Sequence, residues 1–517
     1  MSDARGGNVP IPANGTITPE QAVQARRANH DRQPVALTVD VMTQRSADSL
    51  AMLDYWDLAD ALCDGYKAIR DAGETYLPKF ASEDRDEYNE RLALTKFTNV
   101  WLDMTESLAN KPFEKEVSLV ASEDDDETTI PTTIADFTEN VDGSGMNLTG
   151  FAALVFFNGI ASATHWIMID YPKADPTIRT RSDALRAGIR PFWSHVLGRN
   201  VLEARSRVIG GNETLEYIRI YEPGSIDHVR VFERLPSGDV TWTLYVKTDT
   251  YDDARKTYYV EEDSGVVSIG VIPVVPFATG RRNGRTHQYT PPMRAAADLQ
   301  IELYQQESGL KFAKTMAAYA MLTANGVTPD KDAAGNIKKL RVGPKAVLYA
   351  PPSKADGKSG SWSFVEPAAT SLKFLADDVK DTINQLRELG RQPLTAQSGN
   401  LTVITTAVAA GKARSAVQAW ALALKNSLEN ALVITAKWLN VTYDPQVYVF
   451  TEFDSGLNAA TDLPALSTMA KDGVISRRQL ANEAVRRGAL GPEYNWEADQ
   501  ALILAQVPGD GEDTNID

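Results

Sequence analysis

A single cysteine, Cys63, occurs in the 517 residues. That excludes an intrachain disulfide framework and points to synthesis in a reducing compartment. Histidine is nearly as scarce. His30, His165, His195, His228 and His287 are scattered, and no two stand at the H-x-x-x-H spacing of a helical zinc pair. The N-terminus, MSDARGGNVPIPANG, lacks the apolar core of a signal peptide. Long uninterrupted hydrophobic runs are also missing. The most apolar stretch, FAALVFFNGIASATHWIMI at 151–169, carries Asn158, Gly159, Ser162, Thr164 and His165, groups that are costly in lipid. It reads as a helix to Asn158, a stop at Gly159 and a strand through Ile169, and no membrane partner is expected.

Catalytic motifs are missing in the same way. AVAAGKARSA at 407–416 has the Gly-Lys pair of a phosphate loop, but Thr406 stands where the first glycine belongs and Ala413 where the magnesium-binding hydroxyl belongs. The Ala-rich helical pattern before it commits the backbone amides that would cradle a phosphate. No G-x-S-x-G elbow occurs. The acidic run ASEDDDETT at 121–129 lacks the spaced ligands and glycine of a calcium loop and reads as a solvated loop. Cys63, within an amphipathic helical pattern, reads as an inert buried thiol. His165 reads as a core histidine with its hydrogen bonds satisfied. GRRNGR at 280–285 is a basic cluster after a strand: a solvated turn, or a contact for nucleic acid or a partner. The expectation is a protein that is not an enzyme, with no cofactor and no metal site.

What is present is enough apolar sequence, 43%, for a sizeable core, and a net charge of −16. Such a surface disfavours loose adhesion to DNA, though not DNA enclosed by a ring. The fold class read from the patterning is α+β. Residues 1–50 are polar and Gly/Pro-rich, the composition of a disordered arm or of one that orders on a neighbouring subunit. From 50 to 115 the pattern is helical, with Leu53, Trp56, Leu58, Leu62, Tyr66 and Ile69 at helical spacing and a second long helix over DEYNERLALTKFTNVWLDMTESLANKPF. YIRIYE, HVRVFERL, VTWTLYVKT and KTYYVEED between 214 and 263 alternate as strands, with LPSGD a turn; the prolines of VIPVVPF, 271–277, suggest a sheet edge or exit.

After PPMR comes a helix of about thirty residues, roughly 45 Å long. Residues 323–366 are rich in Gly, Pro and Lys, with short strands such as KAVLYA and a net charge of +3. A helix over 367–390 puts Leu372, Leu375, Val379, Ile383 and Leu386 on one face. The loop GRQPLTAQSGN follows, then a helix from 403 to Leu439 stepped by Trp420, Leu424, Leu428 and Leu432. VYVFTEF, 447–453, reads as a strand, and the last sixty or so residues as polar helices ending in a mobile acidic tail.

This order of elements resembles that of tailed-bacteriophage portal proteins. Local stretches resemble the same group: AGETYLPKF, IRPFWSHVLGRNVLEARS, IPVVPFATGRRNG, PPMRAAADLQIELYQQESGLKFAKTMA and DGVISRRQLANEAVRRGAL, over about residues 50–490. The resemblance implies an N-terminal arm (1–50), a wing of helices then strands (51–290), a stem helix (291–322), a clip (323–366), a second stem helix (367–390), a tunnel loop (391–402), a long wing helix and strand (403–455), and a crown with an acidic tail (456–517). It implies a ring of about twelve copies at one capsid vertex, passing double-stranded DNA without sequence specificity. Implied partners are the terminase large subunit, then head-completion or adaptor proteins, and the major capsid and scaffolding proteins. The chain would be made in the bacterial cytoplasm and end in the virion. Gly390, Arg391, Gln392, Gln397, Ser398, Gly399 and Asn400 would face the DNA, with Gly390 and Gly399 permitting bends. Lys338, Lys339, Arg341 and Lys345 would dock partners through the clip. Two other readings stay open: another head–tail structural protein, and a DNA-processing enzyme of a mobile element.

Overall fold

The computed structural model describes residues 37–81, 83–120, 130–172, 188–248, 258–318, 321–325, 335, 361–365, 369–391, 415–451, 453, 459–486, 489–490 and 494–506. The chain divides into two compact units, Met1–Thr451 and Glu452–Asp517. Sequence expectations for most of the 1–50 arm, the 121–129 acidic run, KAVLYA, the Gly411-Lys412 pair, Gly399 and the acidic tail fall outside the described residues.

The first unit opens with strand β1 (Leu37–Thr38) and helices α1 (Val39–Thr43), α2 (Ala47–Asp64) and α3 (Tyr66–Asp71). Ser46 caps α2 by accepting the Ser49 amide, and Gly65, at φ 82°, separates α2 from α3. Trp56, Leu58, Leu62 and Ile69 of the predicted stripe are buried, with Met52, Tyr55 and Ala59 beside them. The next helical pattern, read as one helix, is two: α4 (Arg85–Leu94) and α5 (Val100–Asn110). Thr95 breaks it. Its backbone is extended, and its hydroxyl donates to the Arg91 carbonyl at 2.7 Å and lies 2.9 Å from Ser308 Oγ. A tertiary bond thus overrides local propensity.

Strand β2 (Ser118–Leu119), α6 (Thr132–Thr138) and α7 (Leu148–Ser162) lead into β3 (Thr164–Asp170). Gly159 does not stop α7. It sits inside the helix, where a Cβ would overlap the Phe277 ring. The helix ends instead at Ala163, which takes φ 70°. Strands β4 (Phe192–Leu197), β5 (Val201–Ile209), β6 (Asn212–Glu222), β7 (His228–Arg234), β8 (Val240–Lys247), β9 (Tyr258–Val267) and β10 (Val274–Ala278) follow. Among the described residues they form an antiparallel six-stranded sheet, β1-β9-β8-β7-β6-β5, and a three-stranded sheet, β10-β3-β4. The expected LPSGD turn joins β7 to β8, with Gly238 N donating to Leu235 O. The prolines of 271–277 do mark an edge: β10 is the outer strand of the smaller sheet, and Pro276 there leaves no central ladder bond unmade.

Alternation along β3 explains its hydrophobicity. Trp166 and Met168 join Val196 in one cluster with Ile218, Ile220, Phe232 and Val240 of the large sheet. His165 and Ile167 point the other way, with Phe277, the register partner of His165. That face is covered by α7 and by a later helix. The apolar stretch 151–169 is therefore the middle of a layered core, buried on both sides. Among the described residues, no helix is long and apolar enough to cross a membrane.

A short hairpin, β11 (Arg281–Arg282) and β12 (Tyr289–Thr290), precedes α8 (Arg294–Ala318), which is 25 residues long, shorter than expected. Strands β13 (Met321–Asn325) and β14 (Ser361–Val365) pair antiparallel, and α9 (Ala369–Arg391) returns. The helix expected from 403 to Leu439 does not run unbroken: Ser415 takes an extended backbone, and α10 (Ala416–Leu439) starts there at a reciprocal capping box between Ser415 and Gln418 and ends at Asn440 with φ 54°. Its predicted steps, Trp420, Leu424, Leu428 and Leu432, are all buried. It packs on β10 and β3, with Ser427 Oγ donating to Pro276 O at 2.9 Å and Trp193 Nε1 donating to Thr435 Oγ1 at 2.8 Å. The expected strand at 447–453 is confined to β15 (Val447–Tyr448), paired with β2.

The second unit holds α11 (Ala459–Lys471), α12 (Arg477–Arg486) and α13 (Trp496–Gln506). Ser476 caps α12 and Asn495 caps α13.

Candidate functional site

Helix α8 is the element on which the site is built. Ala296, Ala297, Gln300, Leu303, Tyr304 and Ser308 are buried and recur at steps of three and four, so they form one stripe. The stripe mixes apolar packing with polar ties. Gln300 Oε1 accepts the Val100 and Trp101 amides at 2.9 and 3.0 Å, and its Nε2 donates to Thr98 O at 2.8 Å. A side chain from α8 thus satisfies the open amides at the start of α5, alongside Asn99, which accepts from Leu102. Glu307 accepts the Thr98 amide at 3.0 Å and the Thr98 hydroxyl at 2.5 Å.

One turn on, Arg91 Nη1 donates to Ser308 Oγ at 3.2 Å. The same guanidinium forks onto Glu83 at 2.7 and 2.8 Å, donates to Pro78 O and lies 4.1 Å from the centroid of the Phe80 ring. Both charges are buried. Hydrogen bonds from Arg91 hold the Glu83 carboxyl below the usual carboxylate range against the opposing effect of desolvation.

Beyond this root, burial stops. Among the described residues of α8 after Ser308 no side chain is buried, and Phe312 is 39% exposed. In α9, described side chains from Leu372 onward show none buried before Thr382, whereas Leu386 is fully buried and Phe374 is 70% exposed. Helices α8 and α9 pack together, and both the start of α8 and the end of α9 touch α5, so they run antiparallel. The antiparallel β13–β14 pair follows α8 and precedes α9 in the chain, with Met321 opposite Val365 and Asn325 opposite Ser361. The result is a two-helix arm, bonded at its root and bare along its outer half.

The structure changes the reading of two predicted loop residues. Gly390 and Arg391 are the last residues of α9, not part of a loop. Gly390 is required by close approach rather than by a bend: a Cβ there would come within 2.7 Å of Met104 Sδ. Arg391 is exposed and lies 3.6 Å from Glu388. Gln392, Gln397, Ser398, Gly399 and Asn400, and the clip residues Lys338, Lys339, Arg341 and Lys345, lie outside the described residues. Sequence reasoning missed Arg91, Gln300, Glu307 and Ser308. The signal was available for the last three, whose spacing continues the stripe of Ala297, Leu303 and Tyr304.

Other candidate residues take structural roles. In GRRNGR, Arg282 forks onto Glu213 and donates to the Thr286 and Arg285 carbonyls, tying its own hairpin. His165 is fully buried as expected, but it is not satisfied: neither ring nitrogen has a hydrogen-bond partner among the described residues. It stacks on His195 at 5.6 Å, and burial pushes its pKa down to about 3. Burial, then Asp60 and Asp64, push the half-buried Cys63 up to about 12, far from a reactive thiolate. Among the described residues, no group of three His, Cys, Asp or Glu could hold a metal ion. A cavity of about 580 Å³ is lined by Tyr171, Arg230, Phe232, Trp242 and Trp438. There Arg230 is held by Glu222 and Asp170 and Tyr171 stacks on Trp438.

Comparison with known proteins adds the following. Residues 292–439, which span α8, the β13–β14 pair, α9 and α10, match a family described as "Domain of unknown function (DUF4055)". No curated protein matches the chain. Among solved structures, a chain from the neck of a native GTA particle, computed with C12 symmetry, is similar at TM-score 0.38 and 9% identity, over 82% of this chain and 99% of that one. A chain from the neck of an empty GTA particle, computed with C6 symmetry, is similar at TM-score 0.38 and 10% identity, over 76% and 90%. At these scores the likeness carries no argument about what this chain does.

Proposed function

We propose that the chain is a subunit of a ring-shaped structural protein at the head–tail junction of a phage-like particle, and specifically a portal. The observation that carries this reading is the two-helix arm. Its root is held by buried polar bonds, and its outer half leaves Phe312 and Phe374 exposed. A lone arm of this kind exposes apolar surface that a neighbour in a closed ring would cover. Residues 323–366, between the two helices, carry a net charge of +3 in an acidic chain, suited to docking the terminase and later adaptor proteins through charge. The two helices of each arm balance seven basic residues with seven acidic ones, so the channel wall that such arms would form is close to neutral. Neutralising many phosphates would grip DNA in a salt-dependent way, whereas sparse contact lets it slide.

Negative-stain electron microscopy with light scattering tests the reading. About twelve copies of the 56.6 kDa chain weigh about 680 kDa, as a toothed ring with a central hole. A monomer that stays monomeric even with capsid and scaffolding proteins present overturns it. Within the ring, deleting residues 392–399 should leave assembly intact and impair packaging or retention of DNA in particles; full packaging would refute a DNA-facing role for that segment. The enzyme reading is tested by ATP-hydrolysis and nuclease assays on the purified chain.

A further inference from the structure

The second unit is built as half of an interface. Ser476 caps α12 and Asn495 caps α13, yet among the described residues of the unit only Ala481 and Ala484 are buried. Among the described residues two alanines do not make a core, and burial on that scale holds three helices together weakly. In place of a core there is an open groove of about 610 Å³, walled by Leu463, Leu480, Ala484, Leu490, Trp496 and Ile503. Its charged lining is Lys471, Arg477 and Asp499, a net positive set. The unit also carries large apolar side chains that point to water: Leu502 is 61% exposed and Val474 66%. Neither lines the groove. A knob and a socket on one small unit form a heterologous pair, the kind that closes rings.

Charge points to the same occupant. Helix α12 carries Arg477, Arg478 and Arg486 against one acid, Glu483. Arg478 pairs with Glu497 of α13, which leaves Arg477 as the cation of α12 that lines the groove, and the residues after α13 carry four acids and no base. The segment that follows the Leu502 knob is therefore complementary to the helix that borders the socket.

We infer that the groove of Glu452–Asp517 is filled by the Leu502 face of the same unit from a neighbouring copy, so that these units form a continuous belt around the ring. This inference rests on the ring reading above and adds the contact that makes the C-terminal unit fold.

The test uses the full chain with Cys63 replaced by Ser. Two differently tagged chains are co-expressed, one with Ser467→Cys in the groove and the other with Leu502→Cys on the knob. Mild oxidation of the purified assembly should give a disulfide-linked dimer bearing both tags, and neither variant alone should cross-link comparably. A chain carrying both cysteines should give a ladder of multimers. Leu502→Asp should lower the concentration stability of the ring, shifting its dissociation midpoint at least tenfold. A ring mass by light scattering without the mixed dimer overturns this inference and leaves the ring reading standing. So does a double-cysteine chain that closes only on itself. A monomeric mass under all conditions overturns both.

Discussion

Arg91 joins two demands that usually conflict: it is charged, and it lies in the interior with Glu83. Desolvating both groups is tolerable because the guanidinium has carboxylate, hydroxyl and carbonyl partners. Arg91→Met strands a buried carboxylate and should cost about 3–5 kcal/mol, seen as a lower urea midpoint. Adding Glu83→Gln should recover much of that loss. If the single variant costs under about 1 kcal/mol, the pair is not holding the root of α8. His165 behaves differently, because among the described residues no hydrogen-bond partner compensates its burial. Its folded pKa, about 3, lies below the unfolded value near 6.5. Between those limits the unfolded chain binds the extra proton. Stability is then full above about pH 6.5 and falls on acidification, at up to about 1.4 kcal/mol per pH unit. His287, lowered to about 4 by burial, acts in the same direction over a narrower window. His165→Leu should therefore lose about 2 kcal/mol less than the parent between pH 7 and pH 5, measured from urea midpoints at the two pH values. Equal losses in both proteins would exclude His165 as a source of acid sensitivity.

At the scale of elements, two glycines show why sequence patterning succeeded in one place and failed in another. Trp420, Leu424, Leu428 and Leu432 step by four, and α10 buries all four, because a stripe is a local property of one helix. Gly159 and Gly390 also look local, as a stop and as a bend. Both sit inside helices because a distant side chain needs the space: the Phe277 ring in one case, the Met104 thioether in the other. That requirement lies in the tertiary contact, and one sequence read alone does not contain it. The same holds at Thr95, where Ser308 draws the backbone out of a helix that propensity alone would continue. It holds for the candidate site too. The sequence pattern made the two long helices legible, but not the polar root that anchors them. The two glycines make a graded prediction. Gly390→Ala should cost about 1–3 kcal/mol, since a flexible thioether can shift. Gly159→Ala should cost more, because a ring packed in the core has nowhere to turn. Thermal denaturation of the two variants checks the order; the reverse order would place the strain elsewhere.

For the whole molecule, the question is whether the bare outer arm is a surface or an interface. Phe374 decides it, since a phenyl ring 70% exposed contributes almost nothing to the stability of a lone chain. Buried against a neighbour, the same ring would contribute about 1.5–3 kcal/mol at each contact. In a closed ring every subunit makes that contact, so a modest local loss is repeated at every junction and assembly responds steeply. Phe374→Asp also places a carboxylate beside Asp377 and Asp378 on the same helix, so any close approach there would gain repulsion as well. The variant should keep the circular dichroism spectrum and unfolding midpoint of the dissociated chain, while its mass by light scattering falls from the ring toward the monomer at concentrations where the parent stays assembled. Phe374→Leu, which keeps an apolar side chain, should restore most of the assembly. A Phe374→Asp ring as stable as the parent would mean that this face looks onto solvent, and that the copies are held together by other surfaces.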